Sequence, residues 1–363
     1  MDKIKVYLQY PWKFPDSPYY KNLLQEHPKS VEYLNVKKQK GVLTSSRKLF
    51  FSHEFKRTVR RFIRIFRIPI LNAHLTKSKE KYDLIHCAHC LSRNKGVPWI
   101  ADFEGMWQIY FENKSERLKR KLRKIMLRKE CRKILPWTKD VEDGILKEFP
   151  ELKDKMEVVY PAIPMPRIKR KKHKGINLLF VGRYFFRKGG LHALEAMDRL
   201  TKKYKDVSGI FVSDVPEELL RKYSKNKKIK FYKLMPQEKL FQDVYAVSDI
   251  FIYPGYRDSF GFAFLEAMSF GIPVVTLNGF ARKEIIQNSK TGFVIDKKIP
   301  KPDMKRHRED IVTDIVKETE KMIKNRKLLN KMSKNSIEWI KDGRFSIKER
   351  NRKMERIYKE ALN

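Results

Sequence analysis

Residues 257–275 read RDSFGFAFLEAMSFGIPVV and set two carboxylates, Asp258 and Glu266, in an otherwise apolar run. The helix carrying Glu266 has no broad polar face, and a helix that is apolar all round is buried. A buried carboxylate without donors is costly. The hydroxyls of a bound ligand would serve Glu266; so would an Arg or Lys of the fold, or a solvated edge. A second group lies in NLLFVGRYFFRKGGLHALEAM, where Arg183 directly follows an apolar run and Lys188 precedes Gly189-Gly190 at a helix entry. A helix N-terminus offers free N–H groups and the positive end of a dipole, and Arg and Lys beside it make a clamp for a diphosphate. The competing account is a solvated basic loop of Arg183, Arg187 and Lys188. At about 1.5 Å per residue, the two carboxylates stand up to about 12 Å apart. One would then hold sugar hydroxyls, the other the ribose of a nucleotide-diphosphate sugar, with the diphosphate between them.

These groups need elements to aim them. DIFIYP reads as a strand that feeds the loop GYRDSFG, and a helix runs from about Phe260 to Phe270. Gly271 caps that helix, Pro273 stops it, and VVTL is the next strand. Around them NLLFVG, SGIFVS, IKFYK, PVVTL and GFVI alternate with helical patterns, which implies a parallel sheet covered on both faces. The first half repeats the alternation less regularly, with IKVYLQY, YDLIHC, VPWIADF, RKILPW and MEVVY as expected strands. Between the halves PAIPMPRIKRKKHKG is the best linker, and the chain beyond Pro302 is helical. The expected architecture is α/β: two Rossmann-like domains facing each other across a cleft. Their bounds are 1–163 and 164–344, with a C-terminal helix, 345–363, crossing back to the first.

The 363 residues are 41% hydrophobic, enough for two real cores. No apolar run approaches a membrane span, and Met1-Asp2-Lys3 leads straight into a strand, so a soluble chain without a secretory signal is expected. Three cysteines, Cys87, Cys90 and Cys131, fit a reducing compartment. HCAHC lacks a second Cys/His cluster to complete a zinc site and reads as a loop after a buried strand. The net charge of +39 is spread evenly, with 36 basic against 19 acidic residues in 1–160 and 46 against 24 beyond. Such a surface is drawn to anionic membranes or polyanions. The first strand has no G-x-G-x-x-G turn after it, and no G-x-x-x-x-G-K-[ST] occurs, which argues against a nicotinamide cofactor and a P-loop.

Taken together, VGRYFFRKGG, DIFIYPGYRDSFGFAFLEAMSFGIPVV, VVYPAIP and FSIKERNRKMERIYKEAL make the chain resemble the GT-B retaining glycosyltransferases of family 4, also called group 1. The resemblance implies sugar transfer with retention, the departing phosphate helping to deprotonate the acceptor, and no cofactor or metal. It maps Glu266 onto the donor ribose, Asp258 onto donor-sugar hydroxyls, and Arg183 and Lys188 onto the diphosphate. The backbone around Ser259, Phe260, Gly261 and Phe262 falls over the phosphates and sugar. Asp258 stands where the family carries Glu. Glu104, in GVPWIADFEGMW, stands where it often carries His, and is the second catalytic candidate. The Gly-rich acceptor loop is replaced by QYPWKFPDSPYY.

RKLFFSHEFKRTVRRFIRIFR, residues 47–67, puts aromatic residues on one helical face and arginines on much of the rest, a pattern suited to an anionic membrane. Arg60, Arg61, Phe62, Arg64 and Phe66 are its contact candidates. A second basic run, KSERLKRKLRKIMLRKECRK, is expected to be a surface helix packing on the first domain. The expected partners are thus a nucleotide-diphosphate sugar, a glycan or lipid-linked acceptor and an anionic membrane, with no specific nucleic acid. The expected place is the cytoplasmic face of the membrane. The alternatives are a GT-B sugar-nucleotide epimerase, a catalytically dead relative, and a non-catalytic basic protein binding membrane or nucleic acid.

Overall fold

The computed structural model describes residues 3–9, 18–36, 58, 62, 65–66, 70–110, 114–297 and 306–363. The chain divides into two compact units: the first runs to Ala162 and takes in Ile347–Asn363, and the second is Ile163–Ser346.

In the first unit, β1 (Ile4–Gln9), β2 (Val31–Leu34), β4 (Leu84–Ala88), β6 (Trp99–Phe103) and β7 (Cys131–Pro136) form a parallel sheet in the order β2-β1-β4-β6-β7. Two short strands, β3 (Ala73–His74) and β5 (Leu91–Ser92), pair beside it. Every residue of β4 and β6 is buried, the pattern of strands covered on both faces. Helices α1 (Pro18–Gln25), α2 (Met106–Tyr110), α3 (Glu116–Met126) and α4 (Lys139–Glu148) belong to this unit, and so does the last helix, whose residues are given below.

Two strand expectations need correction. MEVVY is no strand: only an isolated bridge joins Met156 to Ile134, because the chain soon turns out through Pro161. VEYL, conversely, is a strand, too short to stand out as a pattern.

The second unit is the more regular. Strands β8 (Ile176–Val181), β9 (Val207–Val212), β10 (Ile229–Tyr232), β11 (Ile250–Ile252), β12 (Val274–Leu277) and β13 (Gly292–Ile295) make a parallel sheet ordered β10-β9-β8-β11-β12-β13. Between and after them come α5 (Gly190–Lys203), α6 (Glu217–Tyr223), α7 (Gln237–Asp243), α8 (Phe262–Ser269), α9 (Arg282–Ile285), α10 (Glu309–Lys324) and α11 (Arg326–Lys341). The chain builds outward from β8 to one side, then returns to build from β11 to the other. The loops leaving β8 and β11 therefore part at the switch point, where an open α/β sheet has its binding crevice.

α8 starts at Phe262 rather than Phe260. Gly261 sits at φ 83°, and a Cβ there would lie 2.7 Å from the Phe264 ring, so the turn fixes the helix start two residues later.

The final helix, α12 (Ile347–Leu362), is tied into the first unit by buried polar contacts. Tyr358 Oη lies 2.8 Å from Tyr33 Oη and 2.8 Å from His86 Nδ1, and Arg350 donates to the carbonyl of Glu26. Among the described residues no helix is long and apolar enough to cross a membrane.

Candidate active site

The loop after β8 and the loop after β11 are joined backbone to backbone. Gly255 N–H donates to the Lys188 carbonyl at 2.9 Å and Arg257 N–H to the Arg187 carbonyl at 3.0 Å. The seam is close enough that a Cβ on Gly189, at φ 77°, would fall 2.5 Å from Pro254 Cβ. The result is an ion pair between the loops: Lys188 Nζ stands 2.8 Å from Asp258 Oδ2, each side chain 17% exposed. Tyr253 donates its hydroxyl to the same carboxylate oxygen at 2.7 Å. Burial, then the nearby Asp258 charge, push the Tyr253 phenol well up, so it stays a neutral donor.

Arg282, at the start of α9, is missing from the sequence-based site. Its guanidinium is buried and clamps two carbonyls, Gly279 at 2.8 Å and Gly255 at a shorter contact. Burial lowers it to about 10, with Asp258 and Tyr253 opposing the shift. Nothing in FARKEII marks this arginine out, since its partners are carbonyls of two separate loops.

Arg183 and Ser259 are half-buried in the two loops, and Phe262 is half-buried at the first turn of α8. Phe260 is buried, its ring 5.1 Å from Phe262 and 6.2 Å from Phe345. Glu266 is half-buried and accepts from two neutral side chains. Gln237 Nε2 donates to it at 2.7 Å from α7, and Tyr245 Oη donates at 3.2 Å. Burial and then the Glu266 charge raise the Tyr245 phenol, so this donor too is neutral.

Behind these loops His192, in the first turn of α5, is fully buried. Arg308 N–H donates to its Nε2 at 3.0 Å, so the proton sits on Nδ1 and is given to Tyr256 Oη at 2.6 Å. Burial, then the neighbouring His307, lower it to about 4; Glu195 and Asp310 oppose and Arg308 adds to the shift. An unfolded imidazole titrates near 6.5, so between those values the unfolded chain binds more protons. Stability of the second unit is therefore expected to fall as pH drops from about 6.5 to about 4, by up to ~3 kcal/mol from this group. Urea midpoints across that window check it: the pH slope shrinks in His192→Gln, and an unchanged slope contradicts the assignment.

Glu104 stands in the first unit, half-buried just beyond β6, its backbone N–H donating to Gln108 Oε1 at 2.7 Å. Its neighbour Asp102 is the buried carboxylate that sequence reasoning missed. Asp102 Oδ2 is 2.9 Å from His86 Nε2, and Oδ1 is 3.1 Å from His89 Nδ1 and 2.7 Å from Tyr20 Oη. Burial works to raise this carboxyl, but the hydrogen bond of His86 and the His89 ring beside it outweigh that and hold the group well below the usual carboxylate range. Within HCAHC it is thus the histidines that meet the buried carboxylate. Cys87 and Cys90 are buried free thiols, each accepting from Gln9 Nε2. The signal available was one acid, Asp102, inside an apolar strand.

Of the membrane candidates, Arg60, Arg61 and Arg64 lie outside the described residues. Phe62 and Phe66 are exposed, their ring centroids 4.4 Å apart.

Residues 164–339 match the family model described as Glycosyl transferases group 1. An uncharacterized glycosyltransferase of Haemophilus influenzae is 26% identical over 235 residues, covering 64% of this chain and 63% of its own. The chain spans about three fifths of the length of the curated relatives it matches. Among solved structures, a glycosyltransferase from Rickettsia africae aligns with a TM-score of 0.64 at 16% identity, covering 100% of this chain and 99% of its own. WaaG, a glycosyltransferase involved in lipopolysaccharide biosynthesis, gives 0.59 at 14%, covering 98% and 99%. Anabaena HepE in complex with UDP gives 0.61 at 12%, covering 98% of each. The chain therefore shares the GT-B fold of these structures, and residues 164–339 are similar to the glycosyl transferases group 1 domain.

Proposed function

We propose that the protein is a retaining glycosyltransferase of family 4 type, moving a hexose from a nucleotide-diphosphate sugar to a glycan or lipid-linked acceptor without a metal. The observation that carries this reading is the Lys188–Asp258 pair at the switch point, with the N-terminus of α5 beside it. Arg183 and Lys188 take the diphosphate, and the backbone of Ser259 to Phe262 lies along it. Glu266 takes the ribose hydroxyls, its carboxylate oriented by Gln237 and Tyr245. The diphosphate competes with Asp258 for Lys188, and the released carboxylate turns to the sugar hydroxyls. The bond from the anomeric carbon to the phosphate oxygen then breaks as the acceptor oxygen bonds on the same face. The acceptor proton passes to the departing diphosphate. Glu104 is the first unit's candidate catalytic residue, its carboxylate suited to stabilising positive charge or to holding an acceptor.

The exposed Phe62 and Phe66 support a membrane-side acceptor and a peripheral place on the cytoplasmic face. The test supplies UDP-, GDP- and ADP-sugars with lipid extract and follows release of nucleoside diphosphate, with the new linkage read by proton NMR. Release from one donor, lost in Glu266→Ala, with the donor's anomeric configuration kept, is expected. Inversion would overturn the retaining mechanism. Conversion of the donor sugar without release would make the protein an epimerase.

A further inference from the structure

The second unit exposes its large apolar side chains at one edge. Among its described residues these are Tyr184, Tyr232 and Phe280, which are 38%, 41% and 47% exposed. Tyr184 lies three residues past β8, Tyr232 ends β10, and Phe280 lies three residues past β12. Each therefore stands at the carboxyl end of a parallel strand, the edge at which an open α/β sheet binds its ligand.

Backbone and neighbours set Tyr184 and Phe280 apart from Tyr232. Their φ angles are 63° and 49°, in the left-handed region that residues other than glycine, asparagine and aspartate seldom enter. Each ring carries a guanidinium: Arg187 is 5.4 Å from the Tyr184 centroid, and Arg282 is 5.4 Å from that of Phe280. Both arginines are fastened to the loop after β11. The Arg187 carbonyl accepts from Arg257 N–H, and the Arg282 guanidinium donates to the Gly255 carbonyl. β8 and β12 are the two neighbours of β11, so the strands that lead to the rings are about 10 Å apart. One strained aromatic residue is thus held on each side of the strand whose loop carries Asp258.

Resting on the donor reading above, we propose that Tyr184 and Phe280 hold the C–H faces of the donor's pyranose while Asp258 takes its hydroxyls. A pyranose has a polar rim and two faces of C–H groups, so it suits a site where a few placed polar groups meet exposed rings. A nucleobase also suits an aromatic ring, but with the ribose on Glu266 the base lies beyond that residue, at the other end of the donor. The competing account makes the rings a brace for their arginines, and their removal then costs nucleotide affinity as well.

The test measures dissociation constants by calorimetry on the full chain, pairing UDP with UDP-glucose and UDP-N-acetylglucosamine, GDP with GDP-mannose, and ADP with ADP-glucose. The wild type is compared with Tyr184→Gly/Phe280→Gly, Tyr184→Phe/Phe280→Tyr and Tyr232→Ala. Glycine removes each ring and enters the left-handed region freely, so the loops keep their course. In the double glycine variant the nucleotide-sugar is expected to bind about tenfold more weakly relative to the free nucleotide, whose own constant changes less than about twofold. The Tyr184→Phe/Phe280→Tyr and Tyr232→Ala variants are expected to keep the wild-type ratio. An unchanged ratio in the glycine variant would overturn the proposal, as would an equal loss of the free nucleotide, which makes the rings a brace. An unchanged ratio with a raised KM for a methyl glycoside acceptor would overturn it in favour of the acceptor's sugar. No binding of any nucleotide to the wild type would contradict the donor reading itself, and this assignment with it.

Discussion

Lys188→Met is expected to lower kcat/KM for the nucleotide-sugar donor by about 10²–10³-fold, the range seen when one aimed electrostatic group is removed from a reaction centre. The argument starts from the 2.8 Å pair of Lys188 with Asp258, both side chains 17% exposed. Deleting the cation takes one charge from the diphosphate. It also leaves Asp258 partly buried with Tyr253 as donor and the Arg282 charge nearby, so the carboxylate now repels the incoming phosphates. Asp258→Asn alone is expected to cost sugar positioning while Lys188 stays available. The double variant is therefore expected to fall short of the product of the single losses, because residues in one pair are not additive. Steady-state release of nucleoside diphosphate by the three variants checks this. A Lys188→Met rate within about threefold of wild type would contradict the role, being far below the expected loss.

The largest effect on stability is expected at Asp102, far from that chemistry in sequence and in role. Asp102→Asn is expected to destabilise the first unit by about 3–5 kcal/mol, as when one member of a buried charged network is removed. An asparagine has one acceptor oxygen, while His86, His89 and Tyr20 all turn to this carboxylate. The disturbance reaches α12, because His86 carries Tyr358 on its other nitrogen and Tyr358 meets Tyr33. The carboxyl is held well below its unfolded value of about 4. Its stabilisation is thus complete above that pH and is lost as pH falls below it, an acid limb that Asp102→Asn should lack. Urea unfolding of the first unit checks both, and a loss under about 1 kcal/mol would contradict the network's role.

The second sheet is legible because its strands are near-continuous apolar runs: IFI and VVTL are buried throughout. The loops that carry chemistry follow from that order, since Arg183 and Lys188 leave one strand and Asp258 leaves its neighbour. What stays hidden is who answers each charge. Glu266 meets Gln237 and Tyr245 from elements that do not adjoin it in sequence, and a local pattern suggests only that it needs donors. Arg282 binds backbone carbonyls, which any residue supplies. His86, Asp102 and Tyr358 come from three distant stretches, so HCAHC offers its cysteines to the eye and its histidines to the fold. MEVVY misleads for a related reason: its β-branched residues follow β7 for one bridge, then the prolines take the chain out of the sheet.

The most direct test of the donor site is calorimetric titration of UDP, GDP and ADP into the wild type, Lys188→Met and Glu266→Ala. One nucleotide is expected to bind the wild type, with affinity lost in both variants while their folded spectra are kept. Binding that neither substitution alters, or no binding of any of the three, would contradict the placement of the diphosphate on Lys188 and of the ribose on Glu266.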